Sequence, residues 1–208
     1  MEGEELSESP FGGAGNEIGS AVIEKDEQGS GIVPRIYVAS LSDYNEGILH
    51  GEWITAAQEP EHIRAEIEDM LSRSLAPLAE EWAIHDFEGF NGMHLGEWED
   101  LDYVSTVALG IERHGLAFAH WAQLVSETEH LRQFENCYRG RWDNLAAYAE
   151  ELLDDSGTET DLDRVVPEWV RPYVTLDYAA IGRDMECDGA LMTAQAEEGG
   201  VHVFEQPS

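Results

Sequence analysis

A chain of 208 residues with 42% hydrophobic content can bury a sizeable core, which excludes wholesale disorder. Only 11 Lys and Arg stand against 44 Asp and Glu, a net charge of −33, and this argues against direct binding to nucleic-acid phosphates or anionic membrane surfaces. No apolar run approaches the roughly 20 residues of a transmembrane helix. The two cysteines, Cys137 and Cys187, make neither a close metal pair nor a secreted-type disulfide framework, so reduced thiols are expected.

Residues 1–33 carry eight acids against Lys25, many Gly and Ser, and few large apolar side chains. Such a segment buries too little to offset its ordering entropy and reads as a disordered acidic extension. It also lacks the basic-then-apolar pattern of a secretory signal, which makes a cytoplasmic location the expectation. Without it the chain still holds 36 acids against 10 arginines, a net charge of −26. The acidity therefore belongs to the folded part.

From Arg35 to Leu41 the sequence is β-branched and apolar enough for a strand, and Asp43 to Gly51 reads as a loop. Pro60 opens a helix in which Ile63, Ile67, Met70 and Leu71 share a face. Trp82 to Phe87 is another strand, followed by a turn at Gly89–Gly92. Leu101, Val104, Val107, Ala108 and Ile111 recur at helical spacing until His114-Gly115, a glycine C-cap. Short helices are expected over Leu116–Val125 and Glu129–Tyr138, then a longer one over Asn144–Asp155. A helix at Tyr178–Met185 and strands at Ala190–Ala194 and Val201–Phe204 complete the chain. The fold class is α+β: after the acidic extension come a mixed α/β unit at 34–98, a small helical unit at 99–138 and an α+β unit at 139–208.

Two segments resemble each other at an offset of 44 residues: Gly96-x-Trp98-Glu99-Asp100-Leu101 and Gly140-x-Trp142-Asp143-Asn144-Leu145. Each places an acid or amide where it caps the next helix, with the Trp stapling that helix to the core. This similarity reads as structural. Catalytic patterns are missing. The eight histidines include no HExxH or HxH, and His50, His85, His94 and His120 read as structural or surface residues. No phosphate-binding GxxxxGK or GxSxG nucleophile elbow occurs, and carboxylate pairs such as Glu80/Glu81 or Glu97/Glu99 arise by chance in so acidic a chain. No cofactor and no enzymatic activity are expected.

The placement of the acids is more informative. In Glu150-Glu151-Leu152-Leu153-Asp154-Asp155, two like-charge pairs at i and i+4 each destabilise a helix by roughly 0.2–0.5 kcal/mol. They crowd the helix C-terminus, where the macrodipole favours cations. Two accounts remain: a solvating face for high salt, or a charged surface offered to a cationic partner. Duplex DNA carries one charge per about 1.7 Å, so a net charge of −26 corresponds to roughly 44 Å of duplex if aligned along one side. Carboxylates on such a scaffold fit the basic groove of a DNA-binding protein.

The run from Ile36 through Gly47, then His50-Gly51-Glu52-Trp53-Ile54, resembles the opening of the ArdA antirestriction proteins. The resemblance continues through Glu80–Phe90, Gly140–Asp143, Tyr148–Leu153, Pro172-Tyr173-Val174 and Val201–Phe204, covering about Pro34 to Phe204. It implies a DNA mimic of mobile genetic elements that occupies the DNA-binding groove of type I restriction-modification enzymes, at their methyltransferase core. It also implies an elongated three-domain chain that forms a homodimer through its third domain. Glu150 to Asp155 is similar to the family's antirestriction motif. Residues 1–33 depart from the family pattern, whose core starts close to the first strand.

The expected mimic surface comprises Glu59, Glu61, Glu66, Glu68, Asp69, Glu97, Glu99, Asp100, Asp102, Glu150, Glu151, Asp154 and Asp155. Trp169, Tyr173, Leu191 and Met192 are the candidates for the dimer contact. The alternatives are a general acidic interaction module for another basic DNA-binding protein and, in a different class, a salt-adapted acidic enzyme.

Overall fold

The computed structural model describes residues 33–76, 79–125, 127–197 and 199–207; the expectation for the acidic extension lies outside them except at Val33. Among the described residues are nine α-helices and two antiparallel three-stranded sheets, an α+β architecture.

The first sheet has the order β2-β1-β3, with β1 at Arg35–Ser40, β2 at Gly51–Thr55 and β3 at Trp82–Glu88. Alternation puts Ile36, Val38, Ile54 and Ile84 on one buried face. On the other face Tyr37 packs against Trp53, and the Arg35 guanidinium lies 4.7 Å over the Trp53 ring. Ile63, Ile67 and Met70 of α2 (Pro60–Ser72) bury the apolar side of that helix in the same core. Each such side chain contributes about 1.5–3 kcal/mol on burial.

The segment from Asp43 to Gly51, read as a loop, opens inside a short helix instead, α1 at Leu41–Asn45. Its Asp43 is fully buried, accepts a hydrogen bond from the Ser74 hydroxyl, and so ties the chain after α2 to the end of β1. The hydroxyls of Ser40 and Ser74 hold its carboxyl below the usual value of 3.8. A depressed folded pKa means a stabilising contribution that is complete above the unfolded value and lost as the pH falls below it. Asp43→Ala is accordingly expected to lower the melting temperature at pH 7. The gap to the unaltered protein should narrow below about pH 4, and melting curves across pH 3–7 check this.

The middle of the chain is helical. The α3 helix (Leu101–His114) is capped by Asp100, whose carboxylate accepts from the amides of Asp102 and Tyr103, and it stops at Gly115 with φ +62°. It crosses α4 (Leu116–Leu124) so closely that a Cβ on Gly110 would lie 2.2 Å from the Phe118 ring. The stretch expected as one helix over Glu129–Tyr138 is two short ones, α5 (Thr128–Leu131) and α6 (Phe134–Cys137). It runs directly into a strand, β4 at Tyr138–Trp142.

The second sheet has the order β4-β6-β5, with β5 at Leu191–Gln195 and β6 at Val201–Glu205. One of its faces meets the helical middle: Phe204 packs on Trp121, and Tyr138 stacks on Phe134. Leu191 and Val203 face the opposite way, against Tyr148 of α7 (Leu145–Asp155). Burial and the charge of Glu205 push the Tyr148 phenol up to about 12. Against α7 pack α9 (Tyr178–Cys187), which also meets β5, and α8 (Thr158–Val165), the latter with no buried residue. Gly182 of α9 touches α7 so tightly that a Cβ would approach the Leu145 carbonyl to 2.8 Å.

One apolar cluster runs from Ile36 through α2, α3, α4 and α6 to Phe204, with Met192 and Ala194 packed against it. The limits at 98/99 and 138/139 thus fall between elements that share a core: Phe90, Met93 and Leu95 lie in one cluster with Leu101 and Val104, and Trp121 and Phe134 meet Phe204 across the second limit. Leu191 and Met192, expected at a dimer contact, are used inside the chain: Leu191 is 3% exposed, and Met192 packs against the main core.

Candidate functional site: an acidic surface

The α2 helix presents its acids because its apolar residues fall at i, i+4 and i+7. Glu61, Glu66, Glu68 and Asp69 are then left in solvent, with Glu59 just before the helix. They are not equivalent. Gln58 donates to Glu66 Oε1 at 2.7 Å, and Asp69 pairs with Arg73, which also reaches Glu52. Glu61 and Glu68 make no ion pair among the described residues.

At the start of α3 the expected acids divide in the same way. Glu99 is half-buried and its carboxylate accepts the Gly96 amide at 3.0 Å. Asp100 is the N-cap, and Asp102 takes two hydrogen bonds, 3.0 and 3.1 Å, from Arg132. Glu97 is exposed, and among the described residues only its backbone carbonyl is engaged, by the Ile84 amide. Tyr103, beside Glu99, has its phenol raised by burial and by that carboxylate.

Folding brings Glu59 and Asp102 to one groove of about 370 Å³ whose wall includes Arg113, His114, Arg132 and Glu135, over Phe118 and Phe134. These arginines were not singled out in the sequence. Arg113 lies 4.0 Å from Glu135, and burial pulls the His114 imidazole below its usual value. The same pattern extends along the chain: Arg35 pairs with Glu88, Arg139 with Glu205, Arg164 with Asp161, and Arg171 with Asp163. Most of the scarce cations are thus held by carboxylates of the chain itself, so little positive charge is left to neutralise the remaining acids.

On α7, Glu150, Glu151, Asp154 and Asp155 are all exposed, and among the described residues no arginine pairs with them. The helix has no basic residue in its last turn. Tyr178, at the start of α9, feels this field: burial, a hydrogen bond to Glu159, and the charges of Glu159, Glu150 and Asp154 raise its phenol. Exposed acids on α8, Glu159, Asp161 and Asp163, extend the surface. They fall outside the expected mimic surface because α8, which buries no residue, has no core face to mark it as a helix. Their alternation Glu159-x-Asp161-x-Asp163 was the available signal.

Beyond α8, Trp169 and Tyr173 are 78% and 84% exposed. Among the histidines, His85 lies edge-on to Tyr44, and His50 contacts the Met70 carbonyl. His120 and His202 lie 5.5 Å apart, ring to ring, where α4 meets the second sheet. Among the described residues no group of three or more His, Cys, Asp or Glu is placed to hold a metal ion, and no helix is long and apolar enough to cross a membrane.

The unpaired acids lie on open helix faces and turns, and of those lining the groove Asp102 is held by Arg132 and Glu135 lies beside Arg113. The family model described as antirestriction protein (ArdA) matches residues 36–199, most of the chain and nearly all of its described part. The chain belongs to the ArdA family. No curated protein sequence matches it. ArdA proteins are non-enzymatic antirestriction inhibitors that act on type I restriction enzymes. The ArdA match begins within β1 and ends in the turn before β6, so it takes in the first sheet, the helical middle and α7 to α9.

Proposed function

We propose that the protein inhibits type I restriction-modification enzymes by placing its carboxylates where DNA phosphates bind, in the groove of the methyltransferase core. The supporting observation is the division of charge: Arg35, Arg73, Arg113, Arg132, Arg139, Arg164 and Arg171 pair with carboxylates of the chain, while Glu61, Glu68, Glu97 and the four acids of α7 stay exposed and unpaired among the described residues. A surface of uncompensated carboxylates attracts the lysines and arginines that line a DNA groove and steers the encounter. Direct nucleic-acid binding is opposed by the same charge. No cofactor takes part in this reading, and it places the protein in the cytoplasm, where restriction enzymes meet incoming DNA.

In this reading the three units form an elongated rod, and two chains join through the third unit into a homodimer that doubles the length of the charged line. Of the four candidates, Trp169 and Tyr173 have apolar surface to bury there, since Leu191 and Met192 are already used. Like-charged chains need such a contact to associate.

The purified protein should displace a DNA duplex from a type I methyltransferase at micromolar concentration and low salt, without itself binding the duplex. Light scattering of the same sample should give the mass of two chains. Unchanged DNA binding by the methyltransferase would exclude the mimicry, and a single-chain mass at ten micromolar would exclude the dimer.

A further inference from the structure

The two related turns, at Gly96–Asp100 and Gly140–Asn144, both precede capped helices, yet their tryptophans have different fates. Trp142 donates its indole N–H to the Arg139 carbonyl at 2.9 Å and lies edge-on to Tyr148, 5.5 Å between ring centres. Trp98 is 67% exposed and, among the described residues, makes no hydrogen bond or ring contact. The staple role expected of it is therefore filled only by its counterpart.

The turn that carries Trp98 is nevertheless held firmly. The Gly96 amide donates to the Glu99 carboxylate at 3.0 Å, the Glu99 amide to the Gly96 carbonyl at 3.2 Å, and the Ile84 amide of β3 to the Glu97 carbonyl at 2.9 Å. Asp100 then fixes the first turn of α3. A large indole offered to solvent from a fixed turn loses little freedom when a partner covers it, and Trp is among the residue types most enriched at interface anchors. Its immediate neighbours in the chain, Glu97 and Glu99, are acids, and Glu99 and Asp100 line a second groove of about 370 Å³ with Tyr103 and Gln123. An exposed aromatic face with acids beside it in the chain fits a guanidinium, which stacks on a ring and donates in its own plane to carboxylates.

We propose that Trp98 is the anchor of the inhibitory surface: its indole stacks on an arginine of the target's DNA-binding groove, with Glu97 and Asp100 accepting hydrogen bonds beside it. The inference rests on the mimicry reading and adds to it an apolar, position-specific contact that a phosphate backbone lacks.

The test is Trp98→Ala and Trp98→Phe in the full chain, competed against a recognition-site duplex for a purified type I methyltransferase. Trp98→Ala should raise the half-inhibitory concentration at least tenfold, with Trp98→Phe in between. Both should keep the urea midpoint and the light-scattering mass of the unaltered protein, whereas Trp142→Ala should lower the midpoint. Equal competition by Trp98→Ala overturns the inference. So does a loss of stability matching that of Trp142→Ala, or a changed mass, which would assign the indole to the fold or to the contact between copies. If the unaltered protein does not compete at all, the mimicry reading falls and this inference with it; loss confined to the inference leaves that competition intact.

Discussion

Replacing Glu61, Glu68, Glu97, Glu150, Glu151, Asp154 and Asp155 together by amides is expected to reduce inhibition by tenfold or more, while any one of the seven changes alone shifts it less than fivefold. Each exposed charge contact is worth about 0.2–1 kcal/mol. Seven independent ones sum to about 1.4–7 kcal/mol, and each 1.4 kcal/mol is a factor of ten in affinity. These positions are chosen because their carboxylates hold nothing together: no ion pair engages them among the described residues. Asp100 and Asp102 are unsuitable, since one caps α3 and the other binds Arg132, so their loss would mix stability with recognition. The combined variant should fold at least as well as the original. Amides at 150, 151, 154 and 155 remove two like-charge pairs and the clash with the α7 dipole. Competition assays on the single and combined variants, alongside urea curves, separate the two quantities. One exposed acid whose loss alone abolished inhibition would contradict a distributed charge surface.

The second large effect is on stability. Trp121→Ala is expected to cost about 3–5 kcal/mol, a large share of the 5–15 kcal/mol that holds a typical domain. The Trp121 side chain is fully buried, donates its indole N–H to the Leu131 carbonyl at 3.2 Å, and packs 5.4 Å from Phe204. It lies where the helical middle meets the second sheet, so truncation removes contacts on both sides and leaves a cavity that neither element can close alone. Urea unfolding followed by far-UV circular dichroism should show the midpoint falling in one cooperative step. A separate early transition for the C-terminal part would instead mean that this aromatic junction does not couple the two layers. By contrast, Trp98→Ala should leave the urea curve in place, which makes the pair a direct comparison of a buried and an exposed indole.

The elements that could be read from the sequence are those whose own residues carry the periodic signal. In α2 and α3 the apolar residues recur at helical spacing, and Asp100, Asn144 and Gly115 stand where caps are needed; the structure has Asn144 accepting the Ala147 amide at 3.0 Å. The hairpin of β5 and β6 is marked by glycines between two apolar runs. The elements that escaped reading lack such a signal. The β2 strand buries only Ile54, and it is a strand because β1 pairs with it in register. In β4, Tyr-Arg-Gly-Arg-Trp shows no alternation, and its extended form depends on β6. The α8 helix buries nothing.

The candidate surface divides along the same line. Composition and the order of the acids determined that the folded part would be strongly negative, and the segments from Ile36 to Phe204 carried the ArdA resemblance. These properties add up residue by residue and need no coordinates. Tertiary structure alone decided which carboxylates remain available, because an ion pair or a cap depends on what folding brings near. Arg132 reaches Asp102 across 30 positions of sequence, and Arg139 reaches Glu205 across 66. It also decided that Trp142 is packed and Trp98 exposed, although the two lie in matching sequence contexts. Burial is set by the neighbouring layer, which α7 supplies to the first through Tyr148 and the turn after β3 does not supply to the second.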